Sequence, residues 1–318
     1  MPRYGPANSL ESPRFTGVRT FMRLPFAQTT AEVDFAIVGL PFDTGATWRV
    51  GARFGPEAIR SQSSLLRPYH LPLDVQIFEY LSGVDYGDAP VVPGFIEHAY
   101  ENIERFLAPL YEAGVTPIAL GGDHSIVLAE LRAAARKHGA LGLVQFDAHG
   151  DVWDSYFGHP YTHGTPIRRA MEEGLLDGSR VIQVGMRGPL YEQHDIQQAR
   201  DFGFDVFVAD DVRALGIPKV LEVVRRKVGA GPAFLSFDID FFDPAYAPGT
   251  GTPEVGGFTS AEGQQFLRGL TGINFVGFDV VEVLPAYDNA GQITALLGAN
   301  VAWEMIALLA WRKHRMSV

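Results

Sequence analysis

The chain contains no cysteine among its 318 residues. That absence excludes both a disulfide framework and a thiolate metal site, so any metal must be held by histidine and carboxylate side chains, which suit hard or borderline divalent ions. Positive charge is also scarce: 26 Lys and Arg stand against 37 Asp and Glu, a formal net charge of −11. The basic runs are short, Arg225-Arg226-Lys227 and the C-terminal Arg312, Lys313 and Arg315, so no nucleic-acid partner is expected. The N-terminus, MPRYGPANSLESPRF, lacks the basic start and apolar run of a secretory signal, and the expectation is a cytoplasmic protein. The apolar stretch 295–311 is interrupted by Gly298, Asn300 and Glu304; it reads as too polar to span a bilayer and as a buried helix instead, with no membrane partner. Also missing are a Gly/Ser linker, a low-complexity tract and a fixed-period repeat. The expectation is a single domain over 31–318 after an N-terminal extension, 1–30.

What is present is ordinary globular material, 47% hydrophobic and 20% charged, long enough to bury a large core. Short apolar, β-rich runs recur at 35–40, 116–120, 141–146, 181–184, 206–209, 233–237 and 275–280, with a weaker one at 83–86. Between them lie segments of helical periodicity. One carries Ile96, Ala99, Tyr100, Ile103, Leu107 and Leu110 and is closed by Gly114, as a C-terminal cap requires. Others are 125–138, 195–203, 218–228 and 259–270. Strands apolar throughout, alternating with helices, predict an α/β fold: three α/β/α layers around a parallel sheet of about eight strands. In such sheets chemistry gathers beyond the carboxyl ends of the strands.

Three polar segments occupy those ends: Gly121-Gly122-Asp123-His124, Asp147-Ala148-His149-Gly150-Asp151 and Asp238-Ile239-Asp240. Each has a bland reading when taken alone, as a capping histidine, a turn or a local Asp hydrogen bond. Together they bring His124, Asp147, His149, Asp151, Asp238 and Asp240 to one end of the sheet. If the backbone stays extended, the period of two turns alternate side chains toward one point. Four carboxylates clustered without a cation would repel one another, whereas two divalent ions balance their charge.

These residues resemble those of the ureohydrolase family, which includes arginases, agmatinases, guanidinobutyrases and proclavaminate amidinohydrolase. The resemblance runs through Gly51-Ala-Arg-Phe-Gly-Pro56, Gly121-Gly-Asp-His-Ser125, Asp147-Ala-His-Gly-Asp151, His163-Gly-Thr165, Ser236-Phe-Asp-Ile-Asp240, Asp243-Pro244, Ala247-Pro-Gly-Thr-Gly-Thr-Pro253 and Glu282. It implies the arginase/deacetylase-like eight-stranded fold, a homotrimer or homohexamer, and two Mn²⁺ ions per chain, with Ni²⁺ an alternative. It assigns His124 and Asp151 to one ion and His149 and Asp240 to the other, with Asp147 and Asp238 bridging. It further implies that His163 shuttles a proton and that Glu282 binds the guanidinium group.

The implied reaction is metal-assisted hydrolysis of a small guanidino compound to urea and an amine. Agmatine, guanidinobutyrate and guanidinopropionate are the candidate substrates. Trp153 stands where relatives often carry a small polar residue; it is read either as packing or as a substrate-binding wall that narrows the pocket. The narrow-pocket alternative is a guanidine or substituted-guanidine hydrolase using nickel. Readings of other classes are a non-catalytic regulatory subunit and a metal-dependent deacylase.

Overall fold

The computed structural model describes residues 2–317. Ten strands are formed among the described residues: β1 (Phe35–Leu40), β2 (Tyr69–His70), β3 (Val75–Gln76), β4 (Gly83–Asp88), β5 (Thr116–Gly121), β6 (Leu141–Phe146), β7 (Leu176–Met186), β8 (Asp205–Val208), β9 (Ala233–Asp238) and β10 (Phe275–Val281). The two-residue strands β2 and β3 pair as a small antiparallel hairpin. The other eight build one sheet in the order β4-β1-β5-β10-β9-β6-β7-β8, with parallel pairing between neighbours. The helices are α1 (Gly55–Ser63), α2 (Ile77–Tyr80), α3 (Ile96–Glu112), α4 (Val127–His138), α5 (Pro166–Glu172), α6 (Asp195–Asp201), α7 (Ala209–Leu215), α8 (Ile217–Val228), α9 (Ser260–Arg268) and α10 (Ile293–Ser317).

The sheet separates two apolar clusters. One joins Ile37, Val144, Phe237 and Val280 to α1, α8, α9 and α10. The other joins Val38, Leu143, Val181 and Phe234 to α3, α4, α5 and α6. This alternation along each strand is the three-layer arrangement that runs of buried β-branched and aromatic residues require. Phe21, Met22 and Leu24, ahead of the first strand, sit in the same cluster as Ile37.

Several elements differ from the sequence expectation for local reasons. The run at 206–209 stops one residue early because Ala209 opens α7, and the run at 181–184 extends to an eleven-residue strand through a register shift. Helix α9 starts at a capping box in which Thr259 and Glu262 bond each other's backbone N–H, a start signal that apolar periodicity does not show. By length and composition α10 is apolar enough to cross a membrane, so Gly298, Asn300 and Glu304 do not exclude that, contrary to expectation. Here 72% of its most apolar window is buried within the protein, and it packs on α1, α2, α9 and β10.

The strands are also not apolar throughout. Asp279, Ser236, Gln145 and Gln183 pair in register across β10, β9, β6 and β7, and all four are fully buried. They form one polar row on the α3–α6 face of the sheet.

At the end of β5 the chain passes close to its neighbour: a side-chain carbon at Gly122 would stand 2.3 Å from the Phe42 carbonyl oxygen and 2.5 Å from that of Leu40. Neither oxygen belongs to a side chain that can swing away. Gly122→Ala should therefore cost about 1–3 kcal/mol of stability, measured by urea unfolding; an unchanged midpoint and slope would contradict this reading.

Candidate metal centre and substrate cleft

The six metal-ligand candidates come from three neighbouring regions of the sheet. His124 follows β5, Asp238 ends β9 and Asp240 follows it, and Asp147, His149 and Asp151 follow β6. Glu282 follows β10, so the order β5-β10-β9-β6 places all four strand ends side by side. The convergence is made by turns, not by extended strand alternation. Asp147 Oδ1 accepts the His149 N–H at 2.6 Å, and Asp238 Oδ1 accepts the Asp240 N–H at 2.8 Å. Asp151 and Glu282 both have left-handed backbones, with φ of 52° and 61°, the kind of strain that persists where surroundings over-determine it.

Two clusters result: His124, Asp147 and Asp151 in one, and Asp147, His149 and Asp240 in the other. Asp147 belongs to both. Its Oδ2 lies 3.0 Å from His124 Nδ1, and its Oδ1 lies 3.5 Å from His149 Nδ1. Asp151 Oδ2 is 2.8 Å from His124 Nδ1, and Asp240 Oδ2 is 3.0 Å from His149 Nδ1. Asp238 stands apart from both clusters, with Oδ2 at 3.4 Å from His124 Nδ1.

The electrostatics are those of a site that gathers positive charge. Burial and the neighbouring Asp147 push Asp151 up to about 6. Burial, with Asp240 and Asp147, holds Asp238 well above the usual carboxylate range. Burial also works against ionised Asp147, but the His124 and His149 imidazoles outweigh it and hold Asp147 below that range. Both histidines are raised in turn: burial lowers them, and Asp151 beside His124 and Asp240 beside His149 outweigh it.

Hydrogen bonding settles the His124 tautomer. The Ser236 hydroxyl donates to Asp279 at 2.8 Å, and having one hydrogen it must accept from His124 Nε2–H, also at 2.8 Å. In the neutral ring, the form that binds a metal, Nδ1 then presents a lone pair among three carboxylates, and it has no hydrogen-bond partner; neither does Asp240 Oδ2. Buried lone pairs facing one another need a cation between them. The donor set, two imidazoles and carboxylate oxygens, fits divalent metal ions. We therefore describe this as a His/Asp metal site.

Beside it, a cleft of about 280 Å³ is bounded by His163, Asp151 and Asp238 at its floor and by Trp48, Trp153, Tyr156 and Tyr191 in its walls. Glu282 Oε1 accepts the His124 backbone N–H and lies 2.9 Å from His163 Nδ1. Its Oε2 is buried without a partner. A side chain at Gly251 would approach that oxygen to 2.9 Å, so glycine keeps its approach open. His163 Nε2 accepts the Thr47 N–H at 3.1 Å and lies 2.7 Å from Thr47 Oγ1. That donor assigns the lone pair to Nε2 and the hydrogen to Nδ1 in the neutral ring. Burial lowers the His163 pKa, but the Glu282 carboxylate outweighs it and raises the ring above its ordinary value.

Trp153 does line the cleft. Its ring meets Tyr156 and Tyr191 edge to face, with centroids 5.7 and 5.9 Å away, while its buried Nε1 has no partner. Four polar residues escaped the sequence reading. Thr47 lies in a Gly/Thr loop beyond β1, a strand end like the others. Asp123 was quoted only as part of its motif, yet its Oδ2 accepts the Gly45 N–H at 2.7 Å and ties that loop down. Burial and Glu282 push Asp123 up to about 7. The Ser236–Asp279 pair was hidden inside apolar runs.

Residues 33–307 match the model of the arginase family. The chain is 47% identical over 306 residues to a guanidinopropionase of Pseudomonas aeruginosa, covering 96% of each chain. It is 45% identical over 307 residues to a guanidinobutyrase of the same organism, again covering 96% of each. Among solved structures, proclavaminate amidino hydrolase from Streptomyces clavuligerus superposes with a TM-score of 0.89 at 39% identity, over 95% of this chain and 100% of that one. With matches of this extent, the chain belongs to the arginase family.

Proposed function

We propose that this chain is an amidinohydrolase that cleaves a short linear guanidino acid to urea and an amine at a pair of divalent cations. The observation that carries the reading is a juxtaposition. Two His/Asp clusters share Asp147, and Glu282, whose Oε2 is unpartnered, stands against His124 and His163, two residues that line the cleft. His124 and Asp151 would hold one ion and His149 and Asp240 the other, with Asp147 and Asp238 between them. We take the ions to be Mn²⁺, with Ni²⁺ the alternative the same ligands admit. When bound they would supply Lewis acidity for water activation and offset the carboxylate charge.

The remaining steps belong to the side chains. Glu282 Oε2 accepts guanidinium N–H bonds, a charge-assisted contact that orients the planar cation. His163 carries the proton the leaving amine needs. Both of its nitrogens are engaged, Nδ1 by Glu282 and Nε2 by Thr47, so the Thr47 hydroxyl is the exit for a proton held at Nε2. The aromatic walls exclude water from the reacting carbon.

Two features support an acid as substrate. The relatives reported above are named for guanidinopropionate and guanidinobutyrate hydrolysis, and the buried Trp153 N–H lacks an acceptor that a carboxylate would supply. A second reading, an amine-terminated compound such as agmatine, draws on Glu254 in the same wall. The assembly that goes with this function is a homotrimer or homohexamer in the cytoplasm; the exposed Leu10, Phe15 and Val18 offer apolar surface for subunit contacts.

Urea release from the Mn²⁺-loaded protein should be detected with 3-guanidinopropionate or 4-guanidinobutyrate in a panel that includes agmatine, arginine and guanidine. A panel without any urea would overturn the activity, and agmatine as the best substrate would favour the second reading. Mn²⁺ at about 100 times its Kd should stabilise the fold by about 2.7 kcal/mol per site, seen as a raised unfolding midpoint. Asp240→Ala should reduce that gain and cut urea release by orders of magnitude; near-parental turnover would contradict its assignment. Trp153→Phe keeps an aromatic wall without the N–H, and should lower the preference for the acid over agmatine. If the ranking stays the same, Trp153 only packs.

A further inference from the structure

Behind His124 the structure holds a carboxyl group that the proposed reaction does not use. Glu130 lies on α4, 1% exposed, among the buried Val127, Leu128, Leu131 and Ala134. Helix α4 packs on β10, and Glu130 comes within hydrogen-bonding reach of Asp279. Two carboxyl groups in contact and out of water do not both ionise; they share a proton. The geometry says which one carries it. Asp279 Oδ1 already accepts the Ser236 hydroxyl at 2.8 Å and the Phe237 N–H at 3.1 Å. Two donated hydrogen bonds favour the ionised form at Asp279, whereas Glu130 Oε2 is buried without a partner, so the proton belongs to Glu130. All donors then point one way: Glu130 O–H to Asp279, Ser236 O–H to the same Asp279, and His124 Nε2–H to Ser236.

We infer that Glu130 is a positioning residue for the metal centre, which acts through Asp279 and Ser236 to lock His124 in the tautomer that leaves Nδ1 free for a cation. The inference rests on the metal reading of the site. An apolar side chain at 130 would suit the face of α4 without the cost of burying a carboxyl group, but it would leave Asp279 without that donor. Asp279 would then take up the proton itself and donate to Ser236 Oγ. The Ser236 hydrogen would turn to His124 Nε2 and drive the imidazole hydrogen onto Nδ1, the nitrogen that faces Asp147 and Asp151. Only the cluster built on His124 is affected. His149 and Asp240 lie on the other side of Asp147, whose Oδ2 is held by Gln145 Nε2 at 2.8 Å.

The test titrates Mn²⁺ by calorimetry into metal-free parent, Glu130→Leu and Glu130→Gln proteins, with unfolding midpoints recorded beside it. The glutamine amide can still donate to Asp279. The parent should bind two equivalents. Glu130→Leu should weaken one of them by about 10- to 100-fold, the usual reach of an outer-sphere partner, and leave the other unchanged. Glu130→Gln should bind both as the parent does. Infrared spectra of the metal-loaded parent should also show the carbonyl stretch of a buried protonated carboxyl group that Glu130→Gln lacks, a readout that stands even if the leucine variant does not fold. Equal weakening of both ions, no weakening in Glu130→Leu, a weakened Glu130→Gln, or no carboxyl band in the parent would overturn the inference. A parent that binds fewer than two equivalents overturns the metal reading itself.

Discussion

Mutual repulsion among four buried carboxylates is the constraint around which this molecule is arranged. Asp147, Asp151, Asp238 and Asp240 meet where adjacent strands end, at a depth where water cannot screen them. Their own geometry supplies part of the answer, since His124 and His149 stand against them with Nδ1 forward. The rest of the answer has to be a cation. What makes the arrangement tolerable before any ion arrives is the order beneath it. One residue pair below the ligands, the polar row of Asp279, Ser236, Gln145 and Gln183 fixes Asp147 on one side and His124 on the other.

On the opposite face of the same strands lies a hydrocarbon foundation. Phe146, Phe237, Phe241, Phe242, Phe258 and Phe266 pack ring against ring, with Phe241 and Phe258 stacked at 4.5 Å. Phe241 and Phe242 follow Asp240 directly, so the turn that presents the carboxylate is anchored by the next two side chains. A ligand set is useful only if it is held before the ion binds, because energy spent ordering it would be lost from affinity. Here backbone N–H groups, the polar row and the phenylalanine cluster hold it from three directions.

Much of this was legible in the sequence because burying charge is expensive, and the residues that bear the cost announce themselves. Asp-x-His-x-Asp directly after a buried strand has few innocent explanations. The route by which these side chains converge was not legible. Expecting an extended backbone put Asp147, His149 and Asp151 on one face by period two, whereas the structure uses an Asp147–His149 turn and a left-handed Asp151. The polar row was hidden for a different reason. Each of Gln145, Gln183, Ser236 and Asp279 is one polar residue inside an apolar run, and only the register of strands far apart in sequence shows that they touch. Helix α1 went unread as a helix since its nine residues carry Pro56 at the start and mixed polarity, and Thr47 had no charged neighbour to mark it.

The substrate was harder to read than the reaction, and the cause is physical. Metal ligands sit on strand ends, where the backbone of the sheet dictates their positions. The cleft walls are loop residues, Trp48, Trp153, Tyr156, Tyr191 and Pro253 among them, and the fold constrains those loosely. An aromatic ring in a wall is explained as well by packing as by recognition, as the edge-to-face contacts of Trp153 with Tyr156 and Tyr191 show. What separates the two explanations is the atom that packing leaves unsatisfied. A ring placed only to fill space would turn its N–H to water or to a carbonyl, because a buried donor without an acceptor costs about 1–3 kcal/mol. Trp153 Nε1 is buried with neither. The two strongest pointers to the substrate are therefore of one kind: Glu282 Oε2 at the metal end lacks a donor, Trp153 Nε1 in the wall lacks an acceptor, and a guanidino acid carries both complements on one chain.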